Sequence, residues 1–346
     1  MKNYINKRCY CVSAGVSNLI CTFLIVSGAI FSSPERVLEA AEAVELPYPV
    51  TSFGSVLIGD HLYIYGGHRG RPHKYHADST SGEFQRISLT SQKASWDPLP
   101  GDTPAQGTRM VGWKNRILRV GGMQPRNSRD EDWNLVSLDE YKCWDKETSS
   151  WKSLKPMPKG RSSHEAVVAG DTLYVAGGWF LNGDSEDAEW FSEMFSIDLS
   201  SDDAQWESHP QPFVKRAIAS GLLGDSIVFI GGMDEYDNVS DTVDIYNTQS
   251  RSWVKGPQVP ETPNNRMKSF GAAAASHNGS LYLSDHSGNI YKLSSPQSEW
   301  EKVGALENPR FFHRIEFDSL GELIVVGGAS RQLGQFNSIE FVSLAN

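Results

Sequence analysis

The chain alternates short apolar runs with longer polar segments, and the runs recur at a regular spacing. Five runs end in a glycine pair, whereas a sixth, LYLS, is followed by Asp285-His286. The five pairs, called here the glycine doublets, are Gly66-Gly67, Gly121-Gly122, Gly177-Gly178, Gly231-Gly232 and Gly327-Gly328. A repeat of about 40–55 residues with four strand-like segments is typical of propeller blades. The pattern therefore predicts an all-β, six-bladed β-propeller.

The third repeat shows the predicted unit most clearly. Ser163–Ala169 is a first strand, Gly170-Asp171 a tight turn and Leu173–Ala176 a second strand. A third strand at Ser192–Asp198 and a fourth at Gln205–Glu207 complete the blade. A turn of this kind joins two antiparallel strands in a hairpin. A tryptophan follows each predicted third strand of the first five blades and is expected to pack against the neighbouring blade: Trp96, Trp151, Trp206, Trp253 and Trp300.

The repeat resembles the kelch repeat family. The shared features are the glycine doublet, an aromatic–Asp pair such as Trp144-Asp145, and Trp151 followed by Leu-Lys-Pro-Met-Pro. The resemblance implies one kelch-type β-propeller over residues 34–346, with blades at about 51–100, 106–158, 161–210, 214–260, 267–305 and 309–346.

The resemblance also implies how the ring closes. The sixth repeat has no tryptophan strand before Asn346, while residues 42–48 (EAVELPY) resemble an outer strand that precedes the first blade. We therefore expect the N-terminal strand to complete the last blade, which removes exposed sheet edges.

The first 33 residues have the pattern of a secretory signal peptide. Lys2, Lys7 and Arg8 precede an apolar stretch at Leu19–Val26, and Ser27-Gly28-Ala29 supplies the small residues of a cleavage site. The apolar stretch is long enough for an uncleaved anchor as the alternative. Either interpretation predicts an exported protein, secreted or periplasmic, with membrane contact only through an uncleaved N-terminal segment.

Charge and composition exclude several function classes. The net charge of −10 disfavours nucleic acid and anionic membrane surfaces as ligands. Cys143 is the one cysteine after residue 33, so no internal disulfide forms, and we expect its thiol to be buried and unreactive. The chain has no P-loop, dinucleotide-binding fingerprint or HExxH motif, and we predict a monomer without a cofactor.

The candidate binding residues precede the predicted innermost strands. Five blades are entered through an arginine, and three have a further basic residue nearby. The resemblance implies that these side chains converge at the channel mouth, where guanidinium groups would suit a carboxylate or an acidic sugar. The alternative is that the arginines tie adjacent blades together through backbone carbonyls and acids. The set is Arg109, Arg161, His164, Arg216, Arg266, Lys268, Arg310 and His313.

The loops after the doublets add a second set of candidates. Arg69 and Arg71 lie in a basic stretch with three histidines, and an anion or glycan contact is the functional interpretation. No Asp, Glu or Cys is interleaved with these histidines, so we expect no metal site. Trp179, directly after its doublet, could stack on a sugar face.

These observations favour an exported, non-catalytic module that presents a protein or carbohydrate site at the channel mouth. One alternative is a mutarotase or epimerase for an acidic sugar, as in the exported sialate mutarotase, which has a similar kelch ring. Another is a structural or adhesive scaffold. A channel mouth lined by arginine with a buried Glu or His would favour the isomerase, and a flat aromatic face the binding module. The sequence identifies no catalytic residue.

Overall fold

The computed structural model describes residues 45–91 and 95–345. Within these residues the chain forms six large antiparallel sheets, five with four strands and one with three, and no α-helix. Two short 3-10 turns, Ala77–Ser79 and Ser185–Asp187, interrupt the loops. The predicted signal segment, residues 1–33, lies outside the described residues. No helix among the described residues is long and apolar enough to cross a bilayer.

The strands follow in chain order and are grouped here by blade. The first blade contains β1 (Gly54–Ile58), β2 (His61–Tyr65), β3 (Phe84–Ser88) and β4 (Asp97–Leu99). The second contains β5 (Arg109–Trp113), β6 (Arg116–Val120), β7 (Met123–Pro125), β8 (Leu135–Ser137), β9 (Tyr141–Asp145) and β10 (Ser150–Ser153). The third contains β11 (Glu165–Ala169), β12 (Thr172–Ala176), β13 (Trp179–Phe180), β14 (Asn182–Gly183), β15 (Glu189–Trp190), β16 (Glu193–Asp198) and β17 (Glu207–Pro210).

The remaining three blades are simpler. The fourth contains β18 (Ala219–Leu223), β19 (Ser226–Ile230), β20 (Val243–Asn247) and β21 (Ser252–Lys255). The fifth contains β22 (Ala273–His277), β23 (Ser280–Ser284), β24 (Asn289–Leu293) and β25 (Glu301–Ala305). The sixth contains β26 (Arg314–Phe317), β27 (Leu323–Val326), β28 (Ala329–Ser330), β29 (Gly334–Gln335) and β30 (Ile339–Val342). In blades 2, 3 and 6 the short strands β7, β8, β13, β14, β15, β28 and β29 pair in separate small sheets within the loops.

The blades are arranged in a ring. The first strand of each blade contacts the first strand of the next, and β26 contacts β1. In each blade the first two strands form a hairpin, so that Gly54 pairs with Tyr65 and the doublet lies beside the start of the blade. One side of the ring, the doublet face, therefore has the doublets, and the opposite side, the turn face, has the hairpin turns. The predicted β-propeller is confirmed.

The apolar core lies between blades. Between the first two, Tyr65 and Phe84 pack on Trp144 and Trp151, with ring centroids 4.9–5.5 Å apart. Since each sheet buries both faces against its neighbours, its inner strands are apolar on both sides, and the apolar core is divided among the interfaces between blades.

The doublets connect neighbouring blades through the backbone. Gly67 N donates to Ala105 O at 2.8 Å, and Gly178 N donates to Lys215 O at 2.8 Å; both acceptors lie in the segment that enters the next blade. Gly66 has φ +68°, and a Cβ there would lie 2.3 Å from Ala105 O. Glycine is required because the φ is left-handed and a carbonyl occupies the side-chain space.

The N-terminal segment lies beside the last blade. Glu45 forms an isolated antiparallel bridge with Ser338, and Leu46 N donates to Asn337 O at 2.6 Å. Leu46 and Val50 are buried in the core cluster between the sixth and first blades. Residues 45–48 form this bridge and no longer strand, and the predicted residues 42–44 lie outside the described part of the chain.

Candidate functional site

A ring of backbone hydrogen bonds surrounds the channel at the doublet face. In each blade one residue before the first strand donates its N–H to the carbonyl of the equivalent residue in the preceding blade, at 2.6–3.4 Å. All six have left-handed backbones with φ between 51° and 67°. The cycle closes on itself and leaves a cavity of only about 40 Å³ at this end. The six residues, called here the backbone ring, are Ser52, Gly107, Ser163, Ala217, Gly271 and Phe312.

Inside this ring the channel is lined by the first strands of all six blades, and its volume is about 380 Å³. Arg109 Nη2 lies 3.0 Å from Glu165 Oε2, which also accepts a hydrogen bond from Ser220 Oγ at 2.9 Å. Across the channel, Arg314 Nη1 lies 3.7 Å from Glu165 Oε1. Desolvation and the charge of Arg109 lower the pKa of Arg314 to about 9. The channel is thus a charged, largely desolvated cavity.

The five predicted arginines do not form one ring around the channel. Arg109 lines it, whereas Arg161 and Arg310 are buried inside their own blades and Arg266 is exposed. Arg161 donates to Val175 O, Gly177 O and Glu193 O at 3.0–3.2 Å, and burial lowers its pKa to about 9.

Arg310 makes the equivalent contacts in the last blade. It donates to Gly327 O at 3.3 Å and to Glu340 Oε2 at 2.7 Å. Both buried arginines therefore bind the first doublet glycine's carbonyl and the start of the third strand of their own blade. Arg161 and Arg310 do not tie adjacent blades together, which corrects that expectation for these two residues. Arg109, by contrast, does reach an acid of the next blade, Glu165.

His164 and His313 are also buried and do not face a ligand site. Each directly follows a backbone-ring residue, and the ring nitrogens of both lack a hydrogen-bond partner among the described residues. Burial lowers the pKa of His313 to about 3 and holds that of His164 well below its usual range. Both imidazoles are therefore neutral packing groups between blades.

Arg216 and Trp179 come together on the doublet face. The Arg216 guanidinium lies 4.2 Å from the centroid of Trp179, with Trp190 and Phe270 within 5.8 Å. Among the described residues, its Nε has no hydrogen-bond partner and no carboxylate forms an ion pair with it, while its Nη2 donates to Met233 Sδ at 3.4 Å. Burial lowers its pKa. We call this group the Arg216 site.

The loop of the first blade reaches the same region. Tyr75 packs on Trp133 at 5.4 Å between centroids, and the charge of Arg216 lowers the Tyr75 pKa that burial raises. Loops of the first three blades thereby form a small apolar cluster over the doublet face, with Met123, Leu135 and Leu181 at its centre.

The other candidates in these loops are placed differently. Arg69 stacks on Tyr48 at 3.2 Å and forms an ion pair with Glu83 at 2.9 Å, so its charge is already compensated. Arg71 is exposed, and Lys268 is half-buried beside the fifth blade. No group of three or more potential metal ligands occurs among residues 45–91 and 95–345.

Sequence reasoning missed the channel acids and the second channel arginine. Glu165, Arg314 and Glu316 lie on the innermost strands, where the other blades have mainly apolar or small residues. The sequence feature that could have identified them is a charged residue directly after a histidine at the start of an innermost strand, as in His164-Glu165 and His313-Arg314.

Comparison with known proteins identifies the repeat. The family model of the KLHDC2/KLHL20/DRC7 Kelch-repeats domain matches residues 107–328, more than half of the chain. The chain belongs to the kelch-repeat family. Its kelch propeller is also similar to the solved structure of YjhT, with a TM-score of 0.69 at 16% identity, over 88% of this chain and 99% of that one. At that identity the likeness concerns the fold alone.

Curated relatives align with part of this kelch protein. Kelch repeat and BTB domain-containing protein 12 from Homo sapiens is 28% identical over 49% of this chain and 28% of its own length. Kelch-like protein terF from Aspergillus terreus is 27% identical over 60% of this chain and 44% of its own length. N-(sulfonatooxy)prop-2-enimidothioate sulfolyase from Thlaspi arvense is 25% identical over 66% of this chain and 68% of its own length. The chain spans less than half the length of the first two.

Cys143 is a free, half-buried cysteine. It lines a cleft between the second and third blades together with Trp113 and Tyr141, and is less buried than expected. Burial raises the pKa of its thiol, which keeps it protonated and weakly nucleophilic.

Proposed function

We propose that this kelch propeller is an exported, non-catalytic interaction module that binds a carboxylate-bearing protein or acidic carbohydrate at the Arg216 site. The propeller fold supports a protein-interaction module in general. The observation that carries the specific proposal is Arg216, which forms no ion pair with any carboxylate in the described part of the chain and lies over the ring of Trp179. A half-buried guanidinium that forms no ion pair with a described carboxylate gains from an anionic ligand, in addition to the charge of Asp237, which already raises its pKa against the effect of burial.

The surroundings of Arg216 suit such a ligand. Trp179 and Trp190 pack edge to face, with ring centroids 5.4 Å apart, and present aromatic surface beside the guanidinium. Aromatic rings next to a cation can contact the apolar face of a sugar or a peptide side chain while the guanidinium holds the carboxylate. The net charge of −10 does not oppose this, because local potential governs what enters a site.

The test is a glycan and peptide array probed with residues 34–346. Arg216→Ala should abolish binding of carboxylate-bearing ligands, and Arg216→Lys should restore part of it. Added salt should weaken the wild-type signal. Arg251→Ala, which removes an exposed charge from the turn face, is the matched control and should bind like wild type. Binding that is unchanged in Arg216→Ala contradicts the proposal.

Export is part of the proposal and is supported by the pattern of residues 1–33. N-terminal sequencing of the secreted or periplasmic protein should give a new terminus after Ala29. A protein that stays in the cytoplasm contradicts export. The array experiment tests binding at the Arg216 site independently of this result.

The isomerase is the second candidate, and one observation favours it. An arginine beside a buried glutamate, which acidic-sugar isomerisation would need, occurs inside the channel at Arg109 and Glu165. Its test is the rate of anomer exchange of an acidic sugar, measured by NMR with wild type and Glu165→Gln. No acceleration by the wild-type protein excludes it.

A further inference from the structure

The channel is a pocket with one entrance. At the doublet face the backbone ring closes it to a cavity of about 40 Å³. Toward the turn face the first strands become more exposed: Gly54 is buried and Ile58 half-buried in the first blade, and Ala273 is buried and Ser276 exposed in the fifth. A ligand would therefore enter from the turn face, opposite the Arg216 site.

The pocket contains more unused donors than acceptors. Glu165 is shared by Arg109 and Arg314, while Glu316 accepts from Ser55 Oγ at 3.0 Å. The Arg109 Nε is buried and has no hydrogen-bond partner within residues 45–91 and 95–345. Arg314 donates one hydrogen bond to another described residue, from Nε to Phe53 O at 2.9 Å. Its 3.7 Å approach to Glu165 is too long for a hydrogen bond.

The charges in the pocket also favour an anionic ligand. Two guanidinium groups share one ion-paired carboxylate, Glu165. Burial raises the pKa of the second carboxyl, Glu316, which favours its neutral form, although the charges of Arg109 and Arg314 lower that pKa. Arg109 also lowers the pKa of Arg314, because the two like charges lie close together in a desolvated cavity. An added anion between them would offset this repulsion.

We propose that the channel is a second ligand site, entered from the turn face, that binds a small carboxylate of about monosaccharide size between Arg109 and Arg314. Its volume of about 380 Å³ is at the lower end of the range for small-molecule pockets. Guanidinium groups bind carboxylates through paired hydrogen bonds, which a neutral sugar cannot reproduce. The site is separate from the Arg216 site and requires no turnover.

Titration of residues 34–346 with glucuronate and with glucose, followed by NMR, tests the proposal. Glucuronate should bind and glucose should not, because the two differ chiefly in the carboxylate. Arg109→Gln should weaken glucuronate binding by roughly tenfold or more, since it removes one charged partner. Arg116→Gln, an exposed arginine on the same blade and face, is the control and should leave the affinity unchanged.

Two further variants keep the test decisive. Arg216→Ala should leave glucuronate binding in the channel intact while abolishing array binding, so the two sites fail independently. If Arg109→Gln does not fold, Arg109→Lys retains the charge opposite Glu165 and should still weaken binding by losing the fork geometry. Equal binding of glucose and glucuronate overturns the proposal, and so does glucuronate binding that follows Arg216 and not Arg109.

Discussion

The indole Nε1 of Trp96 donates a hydrogen bond to Glu45 O at 2.7 Å. Three other blade tryptophans, Trp206, Trp253 and Trp300, donate in the same way to the outer segment of the preceding blade, at Lys155 O, Pro210 O and Pro257 O. Glu45 therefore occupies, at the edge of the sixth blade, the position that these residues hold in blades 2 to 4. The N-terminal segment takes the place of an outer strand.

Removal of this segment should open the ring. Deleting residues 34–48 should lower the melting temperature markedly, because the edge of β30 and the cluster around Leu46 become exposed. The milder Leu46→Ala should lower the free energy of unfolding by about 2–4 kcal/mol through a core cavity. Leu333→Ala, at a side chain that is 66% exposed, is the control and should change it little. A deletion variant that melts like the parent contradicts ring closure.

Arg161 should stabilise the fold and take no part in binding. Arg161→Ala leaves three carbonyl oxygens without their buried donor and should lower the free energy of unfolding by about 3 kcal/mol. Arg161→Lys should not restore it, because one ammonium cannot reproduce the planar fork. Chemical denaturation measures both. Arg216→Ala should lower the free energy of unfolding by less than Arg161→Ala does. A larger loss in Arg216→Ala would make Arg216 the structural arginine and contradict its role as the ligand-binding one.

The buried histidines should make the protein sensitive to mild acid. His313 has a folded-state pKa of about 3, below its unfolded value of about 6.5, so the unfolded chain takes up the proton first. Stability is therefore full above pH 6.5 and falls as the pH decreases from about 6.5 towards 3, by up to about 1.4 kcal/mol per pH unit for this residue.

His313→Phe, which places the residue found at the equivalent Phe53, should flatten the dependence of the urea midpoint on pH in this range. The difference in urea midpoint between wild type and His313→Phe at pH 7.5, where the imidazole is neutral in both states, measures the loss of stability that comes from repacking alone. An unchanged acid slope in His313→Phe would show that the imidazole is already accessible to protons in the folded protein.

The Asp285-His286 pair should be structural. The Asp285 carboxylate accepts hydrogen bonds from Ser287 N at 3.0 Å and Asn289 N at 2.9 Å, and His286 stacks on Phe311 of the next blade at 4.8 Å. Replacing the pair by Gly-Gly should leave the protein folded but lower its free energy of unfolding by about 2 kcal/mol.

Asp285→Asn, which keeps one acceptor oxygen, should lose less stability. Array binding should stay unchanged in both variants. A Gly-Gly variant that keeps its melting temperature but loses binding would instead make the pair part of a ligand site.

The blade pattern could be predicted because it depends on local properties. Gly66 and Gly67 are required by backbone conformation and by the close approach of the next blade, so a doublet recurs in five of the six blades. The tryptophans recur in the first five blades for a similar reason, since each packs in a core cluster between blades. The register of the first hairpin follows from its turn.

The candidate site could be predicted only in part. Equivalent sequence positions suggested that Arg109, Arg161, Arg216, Arg266 and Arg310 would act together, but their surroundings differ from blade to blade. Phe191 and Phe195 enclose Arg161, whereas Trp179 of the preceding blade lies under Arg216. The partners of Arg161 lie on or beside strands of its own blade, whereas the partner of Arg216 lies after the doublet of the preceding blade, so equivalent positions do not have equivalent surroundings.

The sequence by itself determined the repeat, the strands and the family, because periodic apolar runs and glycine doublets encode short-range constraints that each blade must satisfy. Tertiary structure alone decided which polar groups meet. The backbone ring closes one end of the channel through residues as unlike as Ser52, Gly107 and Phe312, since it uses only main-chain atoms. Glu165 and Arg314 face each other because blades three apart in sequence lie opposite one another in the closed ring.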